Sequence, residues 1–214
     1  MKKEMNLARF GGWDDVENTN SGGGKTSYVK LENGLNTLRC LDSAPNSRWT
    51  HWLSAQKRRI TCLGKSKCPF CEANQKAMDL GEKKKPFPTS MRFAMNVINR
   101  KTNSLEVLDQ GRDFFLNLLD LHKEVGDVTT YDIKVKTSNA GTTDVNHTII
   151  PGAPTPLTDE EVAMIADKKD LEEAFKAPTV EQARMLVEGK SPDEVFGNSK
   201  QEEKSDNDES IEVE

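Results

Sequence analysis

The stretch His51–Cys71, HWLSAQKRRITCLGKSKCPFC, carries three of the chain's four cysteines, at Cys62, Cys68 and Cys71. The Cys-Pro-Phe-Cys turn at its end points two thiolates toward one position, as a tetrahedral metal site requires. Cys62 lies close enough along the chain to add a third sulfur. We therefore predict a structural zinc site rather than a disulfide framework, because the N-terminus lacks the apolar stretch of a secretory signal.

For the fourth metal ligand we favour His51, and Cys40 is the alternative. His51 is the nearest nitrogen on the predicted strand that precedes Cys62. Cys40 also lies on a predicted strand, where a small buried core side chain is its ordinary role. Three sulfurs and a fourth protein ligand leave no position for a bound water, so the pattern argues against a zinc enzyme. We interpret His122 and His147 as ordinary, partly exposed histidines.

The net charge of −5 hides an uneven distribution along the 214 residues. Residues 48–101 carry 13 Lys and Arg against 3 Asp and Glu. Residues 151–214 carry 7 basic and 18 acidic side chains. A concentrated basic region is typical of a protein that binds a polyanion.

Aromatic side chains alternate with these cations. Cations that follow phosphates and flat rings on which bases stack are what single-stranded nucleic acid requires. Which of Trp49 and Trp52 meets the bases stays open, because a strand alternates its faces. No phosphate loop, paired carboxylates or Ser/His/Asp arrangement indicates catalysis, so we expect no enzyme activity. The predicted DNA contacts are Arg48, Trp49, Trp52, Lys57, Arg58, Arg59, Lys65, Lys67, Phe87, Arg92, Phe93, Tyr131, Lys134 and Lys136.

Short strands separated by turn signals predict an α+β fold with a small β-barrel. The predicted strands are 35–41, 49–54, 90–99, 104–109, 131–137 and 144–150, and the predicted helices are 112–125 and 69 to about 80. We divide the chain into a flexible segment (1–27), a barrel core (28–156) with an inserted zinc subdomain (about 48–90), short acidic helices (157–196) and a disordered acidic tail (197–214).

The layout resembles the zinc-containing single-stranded DNA-binding (helix-destabilising) proteins of tailed bacteriophages. The resemblance covers roughly residues 28–165 and, by composition, the tail. Its most specific part is the order of one histidine and three cysteines with a Cys-Pro-x-Cys turn, among short strands. The stretches that carry it are LNTLRCLD from Leu35, HW from His51, CLGKSKCPFCEA from Cys62, YDIKVKTSNA from Tyr131 and HTIIPGAPTPLTDEE from His147.

The resemblance implies an OB fold in which His51 and the three cysteines bind zinc. It implies sequence-independent binding of single-stranded DNA in replication, recombination and repair, in the cytoplasm of a bacterial host and away from membranes. The acidic tail would recruit replication and recombination proteins and compete with DNA for the cleft. Self-association on DNA is in doubt, because only Lys2, Lys3 and Arg9 resemble the basic N-terminal segment of that family, and residues 14–17 are mainly acidic.

Two further interpretations of the basic region differ in their partner. A zinc-ribbon protein–protein adaptor would use the basic surface to dock an acidic protein. A regulator of double-stranded DNA would need a basic recognition helix, and helix 112–125 has only Arg112 and Lys123 as cations. Binding to an oligonucleotide separates the first interpretation from DNA coating.

Overall fold

The computed structural model describes residues 27–196, which form a mixed α+β fold around an antiparallel sheet of seven strands. The predicted tail, and all but the last residue of the predicted flexible segment, lie outside the described residues. The strands are β1 (Gly34–Cys40), β2 (Asn46–Leu53), β3 (Arg58–Thr61), β4 (Thr89–Asn99), β5 (Ser104–Gly111), β6 (Tyr131–Ser138) and β7 (Asn146–Pro154). The helices are α1 (Pro69–Asp79), α2 (Arg112–Val125), α3 (Asp159–Met164), α4 (Leu171–Ala174), α5 (Val180–Val187) and α6 (Pro192–Phe196), with a 3₁₀ turn at Ile165–Asp167.

Strand β4 organises the sheet because both of its edges are paired. β5 pairs with β4 along residues 92–99. The other edge is shared in succession by β2, along residues 89–94, and by β1, along residues 97–99. β3 then extends β2, while β6 and β7 extend β1. The sheet therefore has one arm, β2–β3, that carries the cysteine-rich segment and a second arm, β1–β6–β7, that completes the core.

The main core lies between the sheet and helix α2. It contains fully buried side chains from β1, β4, β5 and β6, among them Cys40 and Tyr131. Helix α2 has the predicted bounds and buries Phe114, Phe115, Leu118 and Leu121 against the sheet. Val125, predicted on the same stripe, is exposed instead. The helix ends beside it, because Gly126 adopts a positive φ of 108°.

Strand β3 was not predicted from the sequence, where Lys57–Lys67 reads as a lysine-rich excursion. Cross-strand pairing with β2 stabilises it, and Ile60 and Thr61 are buried although two arginines precede them. Single-sequence periodicity misses such a strand, because its four residues show no alternation of apolar and polar side chains. Its place beside β2 brings Cys62 next to His51.

Strand β7 runs past the Pro151-Gly152 pair that was predicted to end it. β7 lies at one end of the sheet, so the missing N–H of Pro151 interrupts no further strand pairing. The register shifts between Tyr131 and Ile133 of β6 opposite this pair. A Cβ on Gly152 would lie 2.9 Å from the carbonyl oxygen of Asp132, so this irregularity requires glycine.

Residues 157–196 pack against the sheet and the cysteine-rich arm. Predicted capping boxes form at Thr158 and Thr179, and Ser191 makes the same reciprocal hydrogen bonds with Glu194. The capping residue Glu161 also forms a partly buried ion pair with Arg100 of the β4–β5 turn. Helices α5 and α6 contribute to a second apolar cluster that contains two of the cysteines.

We predict that Gly152→Ala destabilises the fold by about 1–3 kcal/mol, the usual range for overpacking at a rigid contact. The added methyl group would push on the Asp132 backbone, whose carboxylate binds Arg39 and Arg100. Urea unfolding measures the change. Gly111→Ala is the control, since its Cβ would meet only Arg92 at 3.8 Å. Equal free energies of unfolding for the two variants would contradict this reading of the β6–β7 contact.

Candidate metal centre and nucleic-acid interface

Three elements bring the four candidate metal ligands together. His51 lies in β2, and Cys62 directly follows β3. Cys68 occupies the N-cap of α1, and Cys71 lies in the first turn of that helix. Pro69 begins the helix, a position where its missing N–H costs nothing. The pairing of β2 with β3 and the start of α1 thus place the four side chains close together.

The ligand atoms of these four residues lie within 4.8 Å of one another, and the cysteines are free thiols. Nε2 of His51 is 3.4 Å from Sγ of Cys68 and 3.5 Å from Sγ of Cys71. Sγ of Cys62 is 3.7 Å from Sγ of Cys71. Two sulfurs bound tetrahedrally to one ion at ordinary zinc–sulfur lengths are separated by roughly 3.8 Å. The four side chains could therefore hold a metal ion, and Cys40, in the main core, is not among them.

The imidazole of His51 is oriented by a backbone contact on its far side. Nδ1 lies 3.2 Å from the carbonyl oxygen of Phe87, which fixes the ring so that Nε2 faces the sulfurs. Asn74 of α1 holds the same peptide, accepting from the N–H of Phe87 and donating to its carbonyl. Asn74 was not predicted, because its contact with Phe87 depends on how the 80–88 loop returns to α1.

Hydrogen bonding among the thiols favours one negative charge at the centre. A hydrogen bond from the Cys62 thiol, assisted by His51 and backbone N–H groups, lowers the pKa of Cys68 to about 3. The same hydrogen bond raises the pKa of Cys62. Desolvation raises the pKa of Cys71. A bound divalent cation would take the place of the remaining thiol protons and offset most of the thiolate charge.

An aromatic and aliphatic shell surrounds the centre. Phe70 is fully buried, with its ring centroid 5.2 Å from that of His51 and 5.1 Å from that of Phe87. Leu53, Ile60 and, from helix α5, Leu186 complete the cluster. Six buried apolar side chains belong to this cluster besides the cysteines, and β2 is also paired with β4, so packing and strand pairing support the β2–β3 arm beside the candidate metal ligands.

The predicted DNA contacts divide by exposure. Trp49 is 40% exposed and borders a groove beside Cys62 and Cys71. Lys134 and Lys136 lie on the outer side of β6, which β1 separates from β4. The exposed predicted contacts are Trp49, Lys57, Lys65, Lys67, Lys134 and Lys136, and the half-buried ones are Trp52, Arg58, Arg59, Phe87, Arg92 and Phe93.

Two predicted contacts are buried and are not accessible to a nucleic acid in this structure. Tyr131 is fully buried in the main core, and its hydroxyl donates to the carbonyl of Gly126. Arg48 is 3% exposed and forms an ion pair with Asp109. Both residues lie in basic or aromatic runs of the sequence. Composition and spacing do not show which face of a strand the rest of the protein covers.

Cross-strand pairing collects several of the remaining contacts on one face. Trp52 pairs with Arg59, Thr50 with Ser90, and Arg48 with Arg92. This is the outer side of β4, because the alternate residues Met95 and Val97 face the main core. We call it the arginine face; its members are Arg48, Trp52, Arg59, Ser90 and Arg92.

Direct contacts order the side chains of the arginine face. Nη1 of Arg59 donates to Oγ of Ser90 at 2.8 Å, and its Cζ lies 5.2 Å from the Trp52 ring centroid. Nε of Arg92 donates to Oδ1 of Asp109 at 2.9 Å. Asp109 and Ser90 were not predicted. Asp109 lies on this face because it pairs with Ala94 across β4 and β5. That register cannot be predicted from the pattern of a single sequence.

Comparisons with known proteins provide no identification. No protein-family model, no curated protein and no solved structure matches this chain. Within residues 27–196, no helix has both the length and the apolar character needed to span a bilayer. The geometry of the two sites therefore carries the functional proposal.

We predict that Cys68→Ser loses the bound metal and destabilises the protein by about 3 kcal/mol or more, since loss of a metal belongs to the strongly destabilising changes. Elemental analysis and thermal melting measure the two effects. Cys40→Ala is the matched control, because it removes a fully buried thiol from the main core and should keep the metal. Unchanged metal content in Cys68→Ser would refute the ligand set.

Proposed function

We propose that this protein binds and protects single-stranded DNA without sequence preference, during DNA replication, recombination and repair. It is not an enzyme in this proposal. The observation that carries the proposal is the arginine face, where guanidinium groups and the Trp52 ring lie side by side on the arm that the metal centre holds. The same proposal includes recruitment of partner proteins by the acidic tail, self-association on DNA and a cytoplasmic location. The acidic tail lies outside the described residues.

Zinc is the metal we assign to the centre. One imidazole nitrogen and three thiolates are a common tetrahedral donor set for this ion. All four positions are filled by protein, which suits a structural role. The ion would fix β3 and the start of α1 against β2, and its binding free energy would add to folding.

The proposed fold is an OB fold, a five-stranded and partly open Greek-key barrel. In this assignment β1 and β2 form a broken first strand, and β4, β5, β6 and β7 are the other four. Support comes from the pairing of β1 with both β4 and β6, and from helix α2, which lies between β5 and β6 along the chain and contacts β7. The zinc subdomain is then an insertion between the first and second barrel strands.

This assignment makes the arginine face the oligonucleotide surface. OB folds bind single strands on the face of their second and third strands and on the loop between the first and second. Arg92 lies on β4, the second of these strands, and Arg59 lies in the inserted β3. Among the described residues, Asp109 forms ion pairs with Arg48 and Arg92, and Arg59 adds a third guanidinium to the face. The remaining positive charge suits phosphates, and the Trp52 ring suits a base.

The opposite side of β2 offers a second position for a base. Trp49 borders a groove of about 320 Å³ that Lys65 and Lys85 also line. Its ring is more exposed than that of Trp52, but it lies on the side of β2 that faces the metal centre. We favour Trp52 for stacking, because it shares its face with the arginines, and Trp49 serves as the internal comparison.

Titration with oligo-dT of a Trp13→Phe protein, in which the fluorescence comes from Trp49 and Trp52, tests the proposal. We expect quenching that weakens at higher salt and is nearly absent with a duplex of equal length, as phosphate contacts and base stacking require. Trp52→Phe in the same background should lose most of the quenching, and Trp52→Ala should weaken binding by about 1–3 kcal/mol.

Trp49→Phe is the matched control and should keep the quenching. Loss of quenching with Trp49→Phe alone would move the base to the groove beside the metal. No response to either nucleic acid, with metal bound, would contradict DNA coating. Salt-sensitive binding to an acidic protein in its place would support the adaptor interpretation.

A further inference from the structure

Phe175, directly after helix α4, closes one end of the arginine face. The centroid of its ring lies 3.5 Å from Cζ of Arg48. Both side chains are almost completely buried. The other end of the face, at Trp52 and Arg59, is only half-buried. The face therefore continues from an accessible end to a covered end.

The covered guanidinium lacks most of the hydrogen bonds that a buried arginine needs. Nη2 of Arg48 donates to Asp109, while Nε and Nη1 have no hydrogen-bond partner among the described residues. An arginine has five N–H groups and no means of losing its charge near neutral pH. The Phe175 ring offers its π face and no acceptor atom. Arg48 is therefore a buried donor without matching acceptors.

Electrostatics on the face favour an added anion. Burial lowers the pKa of Arg48, and burial together with the nearby charge of Arg92 lowers the pKa of Arg59. Asp109 is the carboxylate that binds both Arg48 and Arg92. A phosphodiester group would add acceptor oxygens and one negative charge at the same place.

We infer that Arg48, Arg59 and Arg92 form a phosphodiester-binding site that Phe175 closes and that single-stranded DNA opens. This inference rests on the proposed function, because it assigns the backbone of the DNA to the covered end of the same face. Phe175 and the incoming phosphate compete for Arg48. The cover therefore lowers the affinity for DNA and limits binding to strands that can displace it.

The cover, residues 169–175, packs outside the main core. Leu171 and Phe175 lie in a small separate cluster with Ala94 and Val107, and Tyr28 packs against this cluster with its ring centroid 6.3 Å from that of Phe175. Helix α4 has four residues, too few to be stable without packing. Asn96 holds the near end of the cover by hydrogen bonds to the backbone of Lys169. Beyond the cover the chain returns to α5, which packs on the zinc subdomain, so the cover can lift while both of its ends stay in place.

Phe175→Ala tests the cover. We expect about tenfold tighter binding of oligo-dT, with a steeper dependence on salt by about one phosphate contact. Leu118→Ala is the control, because it removes a buried side chain from the main core, apart from both the arginine face and the metal centre. Equal or weaker binding by a folded Phe175→Ala protein, measured at two salt concentrations, would overturn the inference.

Inorganic tripolyphosphate probes the arginines without a nucleic acid. It should raise the melting temperature of Phe175→Ala more than that of the wild-type chain. Adding Arg59→Met should remove this gain; Arg59 makes no ion pair with Asp109, so the change leaves no carboxylate unpaired. No difference between Phe175→Ala and wild type would count against the anion site.

Hydrogen exchange of the unmodified chain keeps the test independent of how the variants fold. Amides of residues 171–175 should exchange faster when oligo-dT is bound, and slower exchange would overturn the opening step. If the wild-type chain and every variant ignore oligo-dT, the proposed function fails. A stabilisation of Phe175→Ala by tripolyphosphate would still support the anion site in that case.

Discussion

The convergence of one imidazole and three thiols on a single point is the interaction on which the β2–β3 arm depends. β3 has four residues, two of them arginines, and the segment from Lys57 to Lys67 has little apolar surface to bury. Such a segment folds when a cross-link offsets its loss of conformational entropy. Phe87 and Asn74 add the support that orients His51. In the proposed account, a bound metal adds to the packing of this apolar cluster and lets the arm carry a high positive charge.

A second constraint is the distribution of charge across the outer face of β4. Asp109 binds two arginines and so makes it possible for Arg48 to be buried at all. It leaves Arg59 with a hydroxyl and an aromatic ring as partners. A face whose arginines were all paired with carboxylates would be more stable without a ligand, but it would not attract a polyanion. The incomplete neutralisation connects the energetics of the fold with the proposed binding of DNA.

The sequence was sufficient for the features that local chemistry determines. The three cysteines and His51, the bounds of helix α2 and the capping boxes at Thr158 and Thr179 were predicted from spacing and periodicity and are found in the structure. Features that depend on register were not predictable. The burial of Arg48 and Tyr131, the strand β3 and the continuation of β7 through Pro151 all follow from which strands lie side by side. A run of basic residues does not reveal which of its members face the core.

The central claim is tested most directly by removing the metal with a chelator. Metal content, folding and oligo-dT affinity are measured together as the metal is lost. The account predicts that oligo-dT affinity falls in proportion to the metal lost, and that the near-ultraviolet signal of the tryptophans on β2 changes with it. The main core, which contains none of the ligands, should unfold at higher denaturant concentration than the arm. Full affinity for oligo-dT in metal-free protein would contradict the claim that the metal centre holds the DNA-binding surface.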